Sequence, residues 1–441
     1  MFDTTIQVYK HDVSGATVIQ GTDVKVPEGL PMTIEGLTPA FVKPSYGGVR
    51  YKSNSVDKVR RDDVPGALSE CKDKNVSFPC LAELYGTNAY SPKPNSESAA
   101  VILFDAFKDE TILEFERNIH PAANGYIPNK LYLGPSTGGW DNVTETVGEA
   151  AFDIEALIGL AYPLNLTFFF KNLSQDSSFY TEMFQELIEI PDADRPGIVS
   201  LSFGVTEQDW PAADGIAMCA AAQQLAALGT TLVVAAGDYG VEVIEDKNKT
   251  CPPFRSDFTS GCPYIVSVGA TQNPSNERAA YDDREPDVAN GWSSGGFSNR
   301  FAMPDFQVDA VKTYLSQIDP GLSNYFNSTG RASVDISAMG SYIWAWFDDG
   351  GGLFGGTSAS APISAAILAL VNAKCKESGK PRIGWAHPTL YSHAEAFNDI
   401  TKGGEYFCAK TDLGFPCKTG WDPATGLGSP NFSRLVTAFG C

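Results

Sequence analysis

From about residue 76 onward, short apolar runs alternate with stretches of helical period, and this order constrains the chain more than any other feature. Runs at 100–104, 166–170, 197–201, 231–235 and 264–268 are built from Val, Ile, Leu, Phe and Ala. Segments 145–160, 179–189 and 214–228 between them carry the spacing of helices. A continuously apolar strand is buried on both faces, and strand–helix–strand order implies parallel pairing. The pattern predicts an α/β fold: a parallel sheet with helices on both faces. A further apolar stretch, 359–372, reads as a buried helix. Residues 1–45 hold two strand-like stretches, 5–9 and 16–19, and then Pro-broken text. Residues 46–75 are rich in Gly, Ser, Lys, Arg and Asp, as in a linker. The expected organisation is an appendage over 1–45, a linker over 46–75 and one large domain over 76–441.

Composition narrows the function. With 43% hydrophobic and 19% charged residues in 441, the chain can bury a large core. Asp and Glu total 53 against 32 Lys and Arg, a formal charge of -21 and a pI near 4.6. That balance argues against binding nucleic acid or an anionic membrane surface. No uninterrupted apolar run reaches the roughly 18 residues needed to span a bilayer.

Two counts point to an oxidising compartment. The nine cysteines form no C-x-x-C pair, which removes support for zinc-ribbon and thioredoxin readings. The short separations Cys71/Cys80, Cys251/Cys262 and Cys408/Cys417 suit local disulfides, and the odd total leaves one thiol over. Glycosylation sequons occur at Asn75, Asn142, Asn165, Asn172, Asn248, Asn327 and Asn431, an excess that favours a secretory route. The N-terminus, MFDTTIQVYKHD, lacks the basic-then-apolar layout of a signal peptide, so a truncated or processed form is expected.

The segment Gly355-Gly356-Thr357-Ser358-Ala359-Ser360-Ala361-Pro362 runs straight into the apolar stretch. Glycines permit a sharp turn, and a serine at a helix N-terminus sits among free N–H groups that favour an oxyanion. Pro362 is expected in the first helical turn, where proline is tolerated. A serine nucleophile needs a base. The four histidines, His11, His120, His387 and His393, lie in no H-G-T-H-like setting, and no D-[ST]-G occurs, which disfavours a His-based triad. The alternative is Glu149 and Asp153, spaced i, i+4 so that both carboxylates project from one helix face and share a proton. Their apolar neighbours Ala151, Phe152, Ile154 and Leu157 distinguish this pair from a solvated helix face.

A third piece follows a buried strand, Ala235-Ala236-Gly237-Asp238. An ionised carboxylate cannot donate a hydrogen bond to an oxyanion, but a protonated one can. Asp238 in that role requires acidic conditions or a proton affinity raised by burial. A carboxylate base is matched to the same conditions, so each step predicts a low-pH enzyme.

The constellation resembles the sedolisin family, the serine-carboxyl peptidases that include tripeptidyl peptidases. The resemblance rests on G-E-A-x-x-D-I, A-G-D-x-G-V and G-G-T-S-A-S-x-P in the family's order, and it covers nearly all of the chain from residue 76. It implies a subtilisin-like fold, with Ser358 as nucleophile, Glu149 as general base, Asp153 orienting Glu149 and Asp238 lining the oxyanion hole. Ser202, Phe203 and Gly204 would pair with the substrate backbone. Glu155 stands where the family commonly has Gln, and Val334 replaces the usual Pro before Asp335. By the same resemblance one Ca²⁺ is expected, on the Asp399 and Asp422 carboxylates and the carbonyls of Ile400, Lys418 and Gly420, an all-oxygen set that suits calcium. Residues 7–11, 26–28 and 34–39 resemble the end of the family's propeptide, with a processing region at 46–75. The implied partners are peptides or unfolded proteins and the chain's own propeptide. The implied state is a monomer, secreted or in an acidic vacuolar or lysosomal compartment. The leading function is an acid-acting endopeptidase or tripeptidyl peptidase working through an acyl-enzyme. The alternative is a catalytically silent, peptide-binding relative. A glycosidase reading of Glu149 and Asp153 is disfavoured, because carboxylates on one helix face sit too close to flank a sugar bond.

Overall fold

The computed structural model describes residues 3–10, 17–25, 71–139, 143–174, 176–242, 253–281, 293–348, 350–406 and 413–441. Two compact units are present, Met1–Lys43 and Pro44–Cys441. In the first, strands Asp3–Lys10 and Thr17–Lys25 form an antiparallel hairpin, with Val8 opposite Ile19. The linker expected over 46–75 lies, up to residue 70, outside the described residues.

The second unit is built on an eight-stranded sheet. Its strands are β1 (Ser98–Leu103), β2 (Asn129–Tyr132), β3 (Asn165–Phe170), β4 (Ile198–Leu201), β5 (Thr231–Ala235), β6 (Ile265–Gln272), β7 (Arg278–Ala279) and β8 (Ile336–Met339). The spatial order is β7-β6-β5-β4-β1-β3-β2, and β8 also pairs with β6. Every pairing is parallel except β6 with β7. Val101 stands level with Phe168 on one side and Ser200 on the other, and Leu201 stands level with Val234.

Alternation along each strand supplies two separate cores. Val101, Leu103, Phe168, Val233 and Val268 point to one face, where they pack with α1 (Gly148–Ala161). Ala100, Ile102, Val199, Leu201 and Val234 point to the other, under α2 (Phe179–Glu189) and α3 (Ala212–Ala227). The first face is completed by α4 (Thr357–Glu377), which packs directly on α1. Each large apolar side chain so buried contributes about 1.5–3 kcal/mol, so both cores hold the sheet strongly. By length and composition α4 could cross a membrane, but it is buried inside the domain as its central helix.

Three details depart from the sequence reading. The helix expected over 359–372 begins at Thr357, so Pro362 lies inside it and not in its first turn. An edge strand, β2, and a hairpin of β9 (Ile343–Phe347) and β10 (Gly350–Phe354) were not expected. Cys71 pairs with Cys80 as the spacing suggested, but Cys262 bonds Cys219, brought beside it by folding, and Cys375 bonds Cys441. The leftover thiol is the buried Cys417, while Cys251 and Cys408 lie outside the described residues.

Candidate active site

In a parallel sheet, the loops after the carboxyl ends of the strands share one edge, and that edge is where such folds gather functional groups. Here β4 runs into Ser202 and β5 into Asp238, while the first turns of α1 and α4 present Glu149 and Ser358. Asp153 follows one turn further along α1 and is fully buried; Glu149 is half-buried in the first turn, where the positive helix end favours a carboxylate.

Ser358 is fully buried, and its Oγ has no hydrogen-bond partner. Ser358 and Glu149 therefore stand on two packed helices, with no hydrogen bond from the Ser358 hydroxyl to the carboxylate. The nucleophile's backbone is held more firmly. Its carbonyl would ordinarily accept the N–H four residues on, but that residue is Pro362, which has none. The Ser202 hydroxyl donates to it instead, at 3.3 Å.

Asp153 sits at the centre of the first core. Burial raises its proton affinity well above that of an ordinary carboxylate, and neither of its oxygens has a hydrogen-bond partner. Glu155, one residue further on than Ile154, is also buried and likewise pushed up; its Oε2 accepts the Trp346 N–H of β9 at 3.0 Å. Phe152 stacks on Phe354 of β10 at 4.2 Å between ring centres. Helix α1 is thus fastened to the hairpin that leads directly into Gly355-Gly356-Thr357-Ser358.

Asp238 is 8% exposed. Its Oδ1 accepts the Thr357 N–H at 2.7 Å and the Thr357 hydroxyl at 3.0 Å. Burial pushes its proton affinity up to about 6, against the opposing pull of those two bonds. Gly356 makes this approach possible. Its φ is +115°, and a Cβ there would stand 3.0 Å from Asp238 Oδ2.

Sequence reasoning named Ser358, Glu149, Asp153, Asp238 and Ser202 but missed Thr357, which touches Asp238 through both its amide and its hydroxyl. Phe203 contributes its ring to a cluster with Phe104 and Tyr180, and Gly204 lies in the irregular segment after β4. The described histidines are engaged elsewhere: His387 with Asp335, His393 with Glu395, and His120 near Tyr162. His11 lies outside the described residues.

The expected calcium ligands converge on one loop. Asp422 Oδ2 accepts the Lys418 N–H at 2.9 Å, and Asp399 Oδ2 accepts the Gly420 N–H at 2.9 Å. Asp422 Oδ1 caps the turn through Thr425. Burial raises Asp422 to about 7, and the nearby Asp399 carboxylate adds to the rise. The two carboxylates are close enough to repel each other and are hard oxygen donors of the type calcium takes.

Comparison with known proteins agrees with this fold. Residues 143–389 match the subtilase family. The tripeptidyl-peptidase SED2 of Arthroderma otae is 30% identical over 480 residues, covering 99% of this chain and 77% of the relative. The tripeptidyl-peptidase sed1 of Aspergillus fumigatus is 28% identical over 512 residues, covering 100% of this chain and 78% of the relative. Among solved structures, Pseudomonas sedolisin, a serine-carboxyl proteinase complexed with two molecules of pseudo-iodotyrostatin, superposes with a TM-score of 0.63 at 20% identity, over 83% of this chain and 98% of that one. The chain belongs to the subtilase family, in its sedolisin branch, and is a serine-type peptidase.

Proposed function

We propose that the protein hydrolyses peptide bonds under acidic conditions, with Ser358 as nucleophile, Glu149 as general base, Asp153 as its proton-sharing partner and Asp238 as oxyanion donor. The observation that carries this reading is the set of bonds around Ser358: the Ser202 hydroxyl holds its carbonyl, and Thr357, the residue before Ser358, is bonded to the buried Asp238. Glu149 takes the Ser358 hydroxyl proton as Oγ attacks the scissile carbonyl, and passes it to the leaving amine. Water then attacks the acyl carbon as Glu149 takes its proton, and Glu149 returns that proton to Oγ as the C–Oγ bond breaks and the acid product leaves. Protonated Asp238 donates to the oxyanion in both steps, which demands a pH below about 6. Residues 202–204 continue β4 out of the sheet and would offer their backbone to an extended peptide.

The names of the curated relatives favour release of tripeptides from an amino terminus over internal cleavage. The three disulfides among the described residues and the sequons favour an oxidising, secretory destination, and residues 1–45 would belong to a propeptide. One Ca²⁺ would be held by Asp399, Asp422 and the carbonyls of Ile400, Lys418 and Gly420, where it would neutralise the two carboxylates and brace the loop. Hydrolysis of an unfolded protein from pH 2.5 to 8, with product masses read, tests the reading. Acid-range activity lost in Ser358→Ala supports it, and the masses separate tripeptides from internal fragments. A Ser358→Ala enzyme as active as the parent would exclude this nucleophile.

A further inference from the structure

The two oxygens of the Asp238 carboxyl are not equivalent. Gly237 donates its N–H to Thr357 Oγ1 at 3.0 Å, which turns the hydroxyl proton of Thr357 towards Asp238 Oδ1, also 3.0 Å away. The Thr357 N–H meets the same Oδ1 at 2.7 Å. An oxygen facing two donors cannot carry a proton of its own without placing hydrogen against hydrogen. We propose that Thr357 is a positioning residue for catalysis: it occupies Oδ1 as an acceptor and so fixes the acidic proton of Asp238 on Oδ2, the oxygen beside Gly356 at the entrance to α4. The inference rests on the reading of Asp238 as oxyanion donor.

The arrangement has a counterweight. Hydrogen bonds received by a carboxyl favour its ionised form, so the Thr357 bonds that aim the proton also make it easier to lose. The groups meeting Asp238 from α4, Thr357 and Gly356, are neutral, as is Ser294, whose Oγ accepts the N–H of the adjacent Tyr239. The other carboxylates of the site, Glu149 and Asp153, stand on α1. Removing the hydroxyl of Thr357 therefore has two effects of opposite sign: the donor is aimed less well, and it keeps its proton to higher pH.

The test is kcat and KM across pH for Thr357→Val, Thr357→Ser and Asp238→Asn, with melting temperature and circular dichroism confirming that each is folded. Thr357→Val is expected to lose about tenfold or more in kcat, part of the loss on removing an oxyanion donor outright. Its KM should stay within about twofold, and the alkaline limb of its profile should move up. Thr357→Ser should restore both kcat and the limb. Thr357→Ala serves if the valine variant does not fold. A valine or alanine variant with an unmoved limb overturns the proposal, whether its kcat is normal or reduced. Asp238→Asn separates the levels. If it abolishes the alkaline limb while Thr357→Val leaves the limb in place, only the positioning role fails. If it retains the parent limb, the donor role of Asp238 fails and takes this inference with it.

Discussion

The Ser202 hydroxyl replaces the hydrogen bond that Pro362 withholds from the Ser358 carbonyl. A strand end on one side of the sheet thereby completes the first turn of the helix that carries the nucleophile. Asp153, one turn along α1 from Glu149, is buried with neither oxygen hydrogen-bonded, and burial favours its protonated form.

Ser202→Ala should therefore lower both stability and activity. An orphaned buried carbonyl costs about 1–3 kcal/mol, and a less anchored Ser358 should reduce kcat by roughly tenfold, since small misplacements cost that much. Thermal unfolding and steady-state kinetics check the pair of effects. Unchanged values of both would show that the 3.3 Å contact carries no weight.

Asp238→Asn replaces a proton-dependent donor by a permanent one. Below about pH 6 the native side chain is mostly protonated and donates; above that it ionises and repels an oxyanion. The variant should keep measurable peptidase activity and extend it towards neutral pH, read as a rise in the alkaline limb of kcat/KM. A variant inactive at every pH would remove support for the protonated-carboxyl reading.

Glu155→Gln should stabilise the protein at neutral pH. Glu155 is protonated more readily in the fold than in the unfolded chain, because burial disfavours its ionised form. Between the unfolded and folded values the native state binds the extra proton, so stability is full in acid and falls as pH rises. Glutamine keeps an acceptor for Trp346 and has no charge to bury. Melting temperature at pH 7 should rise by about 1 °C or more, roughly what 1 kcal/mol yields in a domain of about 400 residues, with little change at pH 4. The opposite pattern would mean that Glu155 is ionised in the fold.

Chelation should lower the melting temperature if a cation bridges the loop at Asp399 and Asp422. Asp399→Asn leaves the Asp422–Thr425 cap intact and should abolish the response to added Ca²⁺. Calcium titrations followed by thermal unfolding check this independently of catalysis. Equal responses in parent and variant would place the effect elsewhere.

The legibility of these parts in the sequence was uneven for physical reasons. Strand β5 and helix α2 have the bounds read from the sequence, because a continuous apolar run and a clean helical period each have one explanation. Strand β2, Asn-Lys-Leu-Tyr, lies at the sheet edge with both faces largely open, so no burial pattern marks it. The first turn of α4 looked like loop because Gly355, Gly356, Thr357 and Ser358 favour turns; tertiary bonds from Asp238 and Ser202 make it helix. Partnership between Cys219 and Cys262 was illegible for the same reason, since their 43-residue separation closes only when α3 packs beside β6. Identities of the chemical groups were readable; the role of Thr357 depended on an approach between residues 119 positions apart.

That separation has a bearing on how the protein is made. The oxyanion donor, the acid pair and the nucleophile come from three crossovers of a parallel sheet, and the last piece, α4, threads the centre of a core already needed to receive it. Parallel pairings close long loops before any contact rewards them, so such topologies form late and cooperatively. A ribosome that has released everything up to Gly356 has made a chain with no nucleophile and no central helix. Fragments that end there lack the serine proposed to attack the peptide bond and the helix on which the first core closes.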